Sequence, residues 1–150
     1  AIFSGNTINT PSLLVIEDAL DALLWAESIG GLPALIDRSE FCLAAIKSWV
    51  AASSVFGFLA EDPATISNTS VTISIVDPWF IALDDGKKAA FAAALAARLA
   101  AEDVGYDLAS YRDAPAGLRI WAGPMVDVAD IESLLPWIDW AYATERAACL

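Results

Sequence analysis

Thr69-Ser70-Val71-Thr72-Ile73-Ser74-Ile75-Val76 decides the fold class. Val71, Ile73 and Ile75 alternate with Thr72 and Ser74, the period-two pattern of a strand with one face buried and the other open. Asp77-Pro78 stops it, because proline donates no ladder hydrogen bond and aspartate favours a turn. A companion strand is predicted immediately upstream, over 55–60. Two more follow, over about 106–111 and 118–122, with Pro115 and Gly117 in the loop between them.

Outward from the strands the apolar period changes to that of helices. Leu13, Ile16, Leu20, Leu23 and Leu24 fall on one stripe, with Glu17, Asp18, Asp21 and Glu27 opposite. Gly30-Gly31 ends this helix, a place where a left-handed residue is usual. A second helix tolerates Pro33 in its first turn and turns Leu35, Leu43, Ile46 and Val50 inward, closing at Ser53-Ser54. An alanine-rich helix is predicted over 86–103 with Phe91, Leu95 and Leu99 on its apolar stripe. The last runs from about Asp127, a candidate cap, towards Arg146, with Pro136 expected to kink it. Strand pairs without regular βαβ alternation imply an α+β fold. The expectation is a two-layer sandwich, with about four strands in an antiparallel or mixed sheet packed by helices. The 150 residues are read as a single domain, 1–150.

Composition narrows the function. Eight basic residues stand against twenty acidic ones, for a formal net charge of −12, which repels phosphate backbones and anionic lipid. No nucleic-acid or membrane partner is expected, no apolar run approaches bilayer length, and the start of the chain lacks a signal-peptide pattern. A cytoplasmic protein is the default. There is no histidine, so a Ser-His-Asp or Cys-His site is excluded and the commonest zinc ligand is missing. No catalytic residue and no metal site is therefore assigned. Cys42 and Cys149 are expected to be reduced thiols.

Two arginines carry the remaining chemistry. Arg112 follows Tyr111, and Arg119 sits in Gly117-Leu118-Arg119-Ile120-Trp121. A charged residue between apolar neighbours on a strand faces away from them, here beside Trp121. Arginine suits two-point capture of a carboxylate or phosphate. The alternative is a local ion pair with Asp107 or Asp113, and periodicity alone leaves both open. Lys87 and Lys88 open a helix, where exposure is expected, and Lys47 lies on a polar face, unlike the desolvated lysine that a Schiff base needs.

Several segments, taken in order, carry a family resemblance. They are Ile2-Phe3 with Thr7-Ile8-Asn9-Thr10-Pro11-Ser12, Glu17 to Leu23, Ile29-Gly30-Gly31-Leu32, Phe58 to Thr65 leading into Ser67-Asn68-Thr69-Ser70-Val71, Tyr111-Arg112-Asp113-Ala114-Pro115 with Gly117 to Trp121, and Leu135-Pro136-Trp137. Together they resemble the C-terminal small domain of phosphoserine aminotransferases, in particular the alphaproteobacterial branch. The resemblance implies a fold-type-I, pyridoxal-phosphate-dependent homodimer that moves an amino group between glutamate and 3-phosphohydroxypyruvate in serine biosynthesis. It implies that Asn9 and Thr10 reach the cofactor phosphate of the partner subunit, that Arg119 holds the substrate α-carboxylate, and that Arg112 helps hold the substrate phosphate. Tyr111 stands where some members have a histidine beside that position, which implies altered phosphate recognition.

The catalytic lysine, the aspartate of the cofactor ring and the stacking aromatic of that family belong to a large domain upstream of residue 1. The chain alone is thus expected to bind no cofactor and to be inert, and the large domain is its implied partner. Whether the excision is natural, proteolytic or engineered stays open. Ile66, Thr72-Ile73-Ser74, Phe41-Cys42 and Val55-Phe56 depart from the family pattern. On the second helix Phe41 shares a face with Ala45, Ser48 and Ala52, which either packs inside the domain or serves as a self-association surface. A noncatalytic, engineered or natural, homodimeric association module is therefore the alternative reading. An independent anion binder using Arg112 and Arg119 ranks last, because the net charge opposes it.

Overall fold

The computed structural model describes residues 4–5, 9–111 and 113–149. They divide into two compact units, 1–36 and 37–150. In the first, helix α1 (Leu13–Ser28) is followed by Gly30 at φ 118° and Gly31 at φ 69°. Both angles lie in the left-handed region that glycine alone adopts cheaply, so the pair ends one helix and lets α2 (Gly31–Ala52) begin. The apolar stripe of α1 forms as its spacing predicts, yet none of its residues is buried.

The second unit is built on a three-stranded antiparallel sheet, in the order β1 (Phe56–Phe58), β2 (Ser70–Ile75), β3 (Gly117–Trp121). The register pairs Val71 with Ile120 and Ile73 with Leu118, all four buried. It pairs Ser70 with Trp121 and Thr72 with Arg119 on the opposite face. Gly117 is required by close approach: a Cβ there would run into the carbonyl oxygen of Ile73. A short helix, α3 (Pro78–Ile81), follows the Asp77-Pro78 break, then α4 (Asp85–Ala101) and α5 (Val128–Ala148). Helix α4 packs on both α5 and β3. Ile46 of α2, Leu95 and Leu99 of α4, and Ile138 of α5 are fully enclosed with Ile73, Leu118 and Ile120. Each such side chain contributes about 1.5–3 kcal/mol by leaving water.

The α+β architecture holds, with three differences in detail. The strand expected over 106–111 is reduced to one bridge, Ala109 with Leu118, on the outer edge of β3. Asp107 takes φ 55°, which no strand residue adopts, and Tyr111 already accepts from the Ala114 amide (3.0 Å) in a turn. Only the residues between them can run beside β3. Helix α3 was not expected; Asp77 starts it by accepting from the Trp79 amide at 2.8 Å. Asp127 occupies the position before α5 but makes no side-chain cap. Its carboxylate turns instead to the Arg38 guanidinium, 2.5 Å away. Among the described residues no single helix is long and apolar enough to cross a membrane. Cys42 is buried and Cys149 exposed, both free of disulfides, and burial pushes the Cys42 thiol pKa up.

Candidate functional site

The uncovered face of the sheet carries the site. On β3, Leu118 and Ile120 enter the core, so Arg119 and Trp121 emerge on the other side. The Arg119 amide donates to the Leu108 carbonyl at 2.9 Å, which draws the segment after α4 along the edge of β3. Asp107 and Tyr111 are thereby placed on either side of the arginine. From Nη2 the guanidinium donates to Asp107 Oδ2 at 2.5 Å, and from Nη1 to the Tyr111 hydroxyl at 3.0 Å. Its central carbon stands 4.5 Å from the centroid of the Tyr111 ring, a cation–π distance. The Arg119 side chain is 16% exposed, whereas that of Asp107 is 84% exposed. Nε of Arg119 is buried and has no hydrogen-bond partner among the described residues.

This arrangement fixes the charge. Burial works against ionisation, but the hydrogen bond and charge of Asp107, with Tyr111, outweigh it and raise the Arg119 pKa. The side chain is a permanent cation, mostly covered, with its Nε–H unused. Of the two readings left open by periodicity, the ion pair to Asp107 is the contact the structure shows. Nε is left as an enclosed donor that the ion pair does not satisfy.

Beyond Tyr111 the loop runs back to Gly117 and bounds a cavity of about 760 Å³ with Ser74, Phe80, Lys88 and Asp113. Arg112 lies outside the described residues. Lys88 is ion-paired to Asp85 at 3.8 Å and Lys87 to Asp84 at 3.1 Å. Lys47 is exposed. Two are ion-paired to a neighbouring aspartate and the third faces solvent, so no described lysine has the dry, unpaired setting that covalent attachment of a carbonyl cofactor needs. Asn9 and Thr10 lie in the first unit, both exposed in the segment ahead of α1. As neutral donors they fit the oxygens of a phosphate. Among the described residues no cluster of three or more histidine, cysteine or carboxylate side chains could hold a metal ion.

A second polar cluster was not singled out by sequence reasoning. Asp77 is buried; its Oδ2 accepts from the Tyr142 hydroxyl at 2.6 Å and pairs with Arg146 Nη1 at 3.2 Å. Tyr142 also meets Phe56 and Phe91 edge-on, each at 5.5 Å between centroids. The Tyr142 hydrogen bond, with the Trp79 amide and Arg146, holds the Asp77 carboxyl below its usual pKa despite burial. Asp77-Pro78 signals a turn in the sequence, but nothing local shows that Tyr142, sixty-five residues on, will close the cluster. The set ties α3 to α5 inside aromatic packing, and Nε of Arg146, like that of Arg119, is buried without a hydrogen-bond partner among the described residues.

No protein-family model matches the chain. Phosphoserine aminotransferases of Methanosarcina barkeri (strain Fusaro / DSM 804) and Methanosarcina mazei are 46% and 45% identical to it over 141 residues. Those residues are 94% of this chain and 35% of each relative. Over nearly its whole length, the chain is similar to a third of a phosphoserine aminotransferase. The solved structure of the phosphoserine aminotransferase from Bacillus circulans subsp. alkalophilus superposes with a TM-score of 0.68. That match covers 91% of this chain and 34% of the other, at 19% identity, and so speaks for a shared fold alone. The chain thus spans about a third of the length of the curated relatives it matches.

Proposed function

We propose that this chain is the carboxylate-recognising part of a phosphoserine aminotransferase of the pyridoxal-phosphate-dependent type, and that it is inert without the remaining polypeptide. The observation that carries this reading is Arg119. A mostly covered guanidinium with an unused Nε–H stands on an open sheet face, in a chain 46% identical to one third of such an enzyme. In this reading Arg119 holds the substrate α-carboxylate by charge and two-point hydrogen bonding. Arg112 helps hold the phosphate, and Asn9 and Thr10 donate to the cofactor phosphate of a partner subunit. The cofactor, when bound, supplies the electron sink that amino-group transfer needs. The exposed apolar stripe of α1 is surface that a further polypeptide, the large domain, would cover; in this reading the whole assembly is a cytoplasmic homodimer.

The test is reconstitution. Alone, the chain is expected to transfer no amino group from glutamate and, on borohydride treatment with pyridoxal phosphate, to yield no single stoichiometrically labelled lysine. Mixed with the complementary two thirds of the Methanosarcina barkeri relative, it is expected to restore transfer to 3-phosphohydroxypyruvate. Arg119→Gln should then lower kcat/KM about 30-fold or more, the cost of truncating one side of a covered charge pair. Reconstituted activity indifferent to Arg119 would refute its assigned role.

A second reading rests on α2. Phe41 is 61% exposed, with Ser48 and Ala52 exposed on the same face and Ala45 half-buried. A small-residue surface with one projecting aromatic suits self-association without catalysis. Light scattering over a concentration series separates the two readings. A dimer that Phe41→Asp dissociates supports association through α2, and a mass unchanged by that substitution removes it.

A further inference from the structure

We propose that Asp107 is a resident carboxylate on Arg119, which an incoming carboxylate must displace, so that Asp107 sets the affinity of the site. The inference rests on the reading of Arg119 as a carboxylate receptor and adds the residue that tunes it.

The guanidinium presents five N–H groups in a fixed plane, and Nε–H with one Nη2–H point along the same edge. A carboxylate that takes both makes two parallel charge-assisted bonds. In this protein Asp107 takes only the Nη2 half of that edge. The Nε half is buried and unpartnered. The edge is therefore occupied but not filled, and a free carboxylate engaging both halves has one bond more to make than Asp107 does.

Asp107 is also easy to move aside. Its side chain is 84% exposed, and pairs with so exposed a partner hold weakly. Its backbone sits at φ 55°, and its neighbour Leu108 accepts from the Arg119 amide. The position of the residue is set by the chain path, so its carboxylate can swing into water without dragging the loop. Arg119 would stay aligned after the exchange. The Tyr111 ring lies 4.5 Å from its guanidinium carbon, the Tyr111 hydroxyl accepts from Nη1, and β3 fixes the stem. Tyr111 orients the cation; Asp107 competes for it. On a chain of net charge −12, such a competitor also makes the site reject weak, singly contacting anions.

The test titrates L-glutamate into the ¹⁵N-labelled chain, reconstituted with the complementary two thirds of the Methanosarcina barkeri relative, at constant ionic strength, following the backbone amide resonances of β3. Asp107→Asn keeps the size of the side chain and tolerates the left-handed backbone. It is expected to bind glutamate roughly three- to tenfold more tightly than the unsubstituted chain. Asp107→Gly, relaxed at the same φ, should match it, and Arg119→Gln should abolish the response. Should Asp107→Asn bind no more tightly while Arg119→Gln abolishes binding, the resident-carboxylate proposal is overturned and the receptor reading stands. A gain in only one of the two Asp107 variants overturns it as well, since loss of the carboxylate is common to both. Glutamate binding that ignores Arg119, or is absent from every variant, ends the receptor reading and the proposal together.

Discussion

Helices α1 and α4 make an instructive pair. The first is the more apolar by sequence, Leu13-Leu14-Val15-Ile16 followed by Leu20, Leu23 and Leu24, and it buries nothing. The second is mostly alanine, yet Phe91, Ala92, Leu95 and Leu99 are all buried. Spacing tells which face of a helix seeks cover; it does not tell whether cover is supplied. For α4 it is, by β3 and α5. The helix starts differ too. Asp84 caps α4 by accepting from the Lys87 amide at 2.9 Å, while Ser12 before α1 makes no side-chain cap.

The strongest way to break this comparison is to empty the covered side. Leu95 is wholly enclosed, so Leu95→Ala should cost about 2–5 kcal/mol, read as a lower denaturant midpoint at unchanged slope. A loss under about 1 kcal/mol would mean that α4 is no better anchored than α1.

Helix starts provide the next, smaller effects. At the start of α3, Asp77 is a cap that is also buried and paired with Tyr142 and Arg146. Asp77→Asn should cost about 1–3 kcal/mol at neutral pH, because it removes charge from hydrogen bonds made in a buried cluster. The sign with pH is fixed by the lowered folded pKa. The Asp77 contribution is complete above the unfolded carboxyl value of about 3.9 and is lost as pH falls through the folded value. Urea midpoints from neutral to acid pH should therefore fall more steeply for the unsubstituted chain than for Asp77→Asn. Asp84→Ala should lower Tm measurably but less, since that cap is exposed. Ser12→Ala should leave Tm unchanged, having no cap bond to lose.

How much of this was legible follows from how local each signal is. Val71, Ile73 and Ile75 alternate over five residues, and the pattern points to the sheet and, through Leu118 and Ile120, to the face on which Arg119 stands. The apolar content of 106–111 predicts an edge strand but hides a left-handed Asp107, and a backbone angle leaves no compositional trace. The position of Asp127 suits a cap. Its real partner, Arg38, is eighty-nine residues away and invisible to any local rule. The same holds for Tyr142 and Asp77. In the candidate site, Arg119 and its possible partner Asp107 were both visible, since strand alternation and short separation are local facts. The unpartnered Nε, on which the proposed exchange turns, is geometry alone.

The smallest expected effect is the sharpest on α1. Leu23 is 67% exposed, so Leu23→Gln should change the stability of this chain by no more than about 0.5 kcal/mol. Little apolar area leaves water at that position on folding, so little is lost when the side chain turns polar. The same substitution should matter once the stripe is covered. If the complementary polypeptide sits on α1, Leu23→Gln should weaken reconstitution while leaving the chain's own midpoint unmoved, and the two readouts are independent. A large loss of stability in the chain alone would show that the stripe is already covered in solution. A second copy would then be the cover to look for, and light scattering should find the mass doubled in the parent chain and reduced in the variant. The contrast between α1 and α4 would in that case be one of partner, with cover supplied within the chain for one helix and between chains for the other.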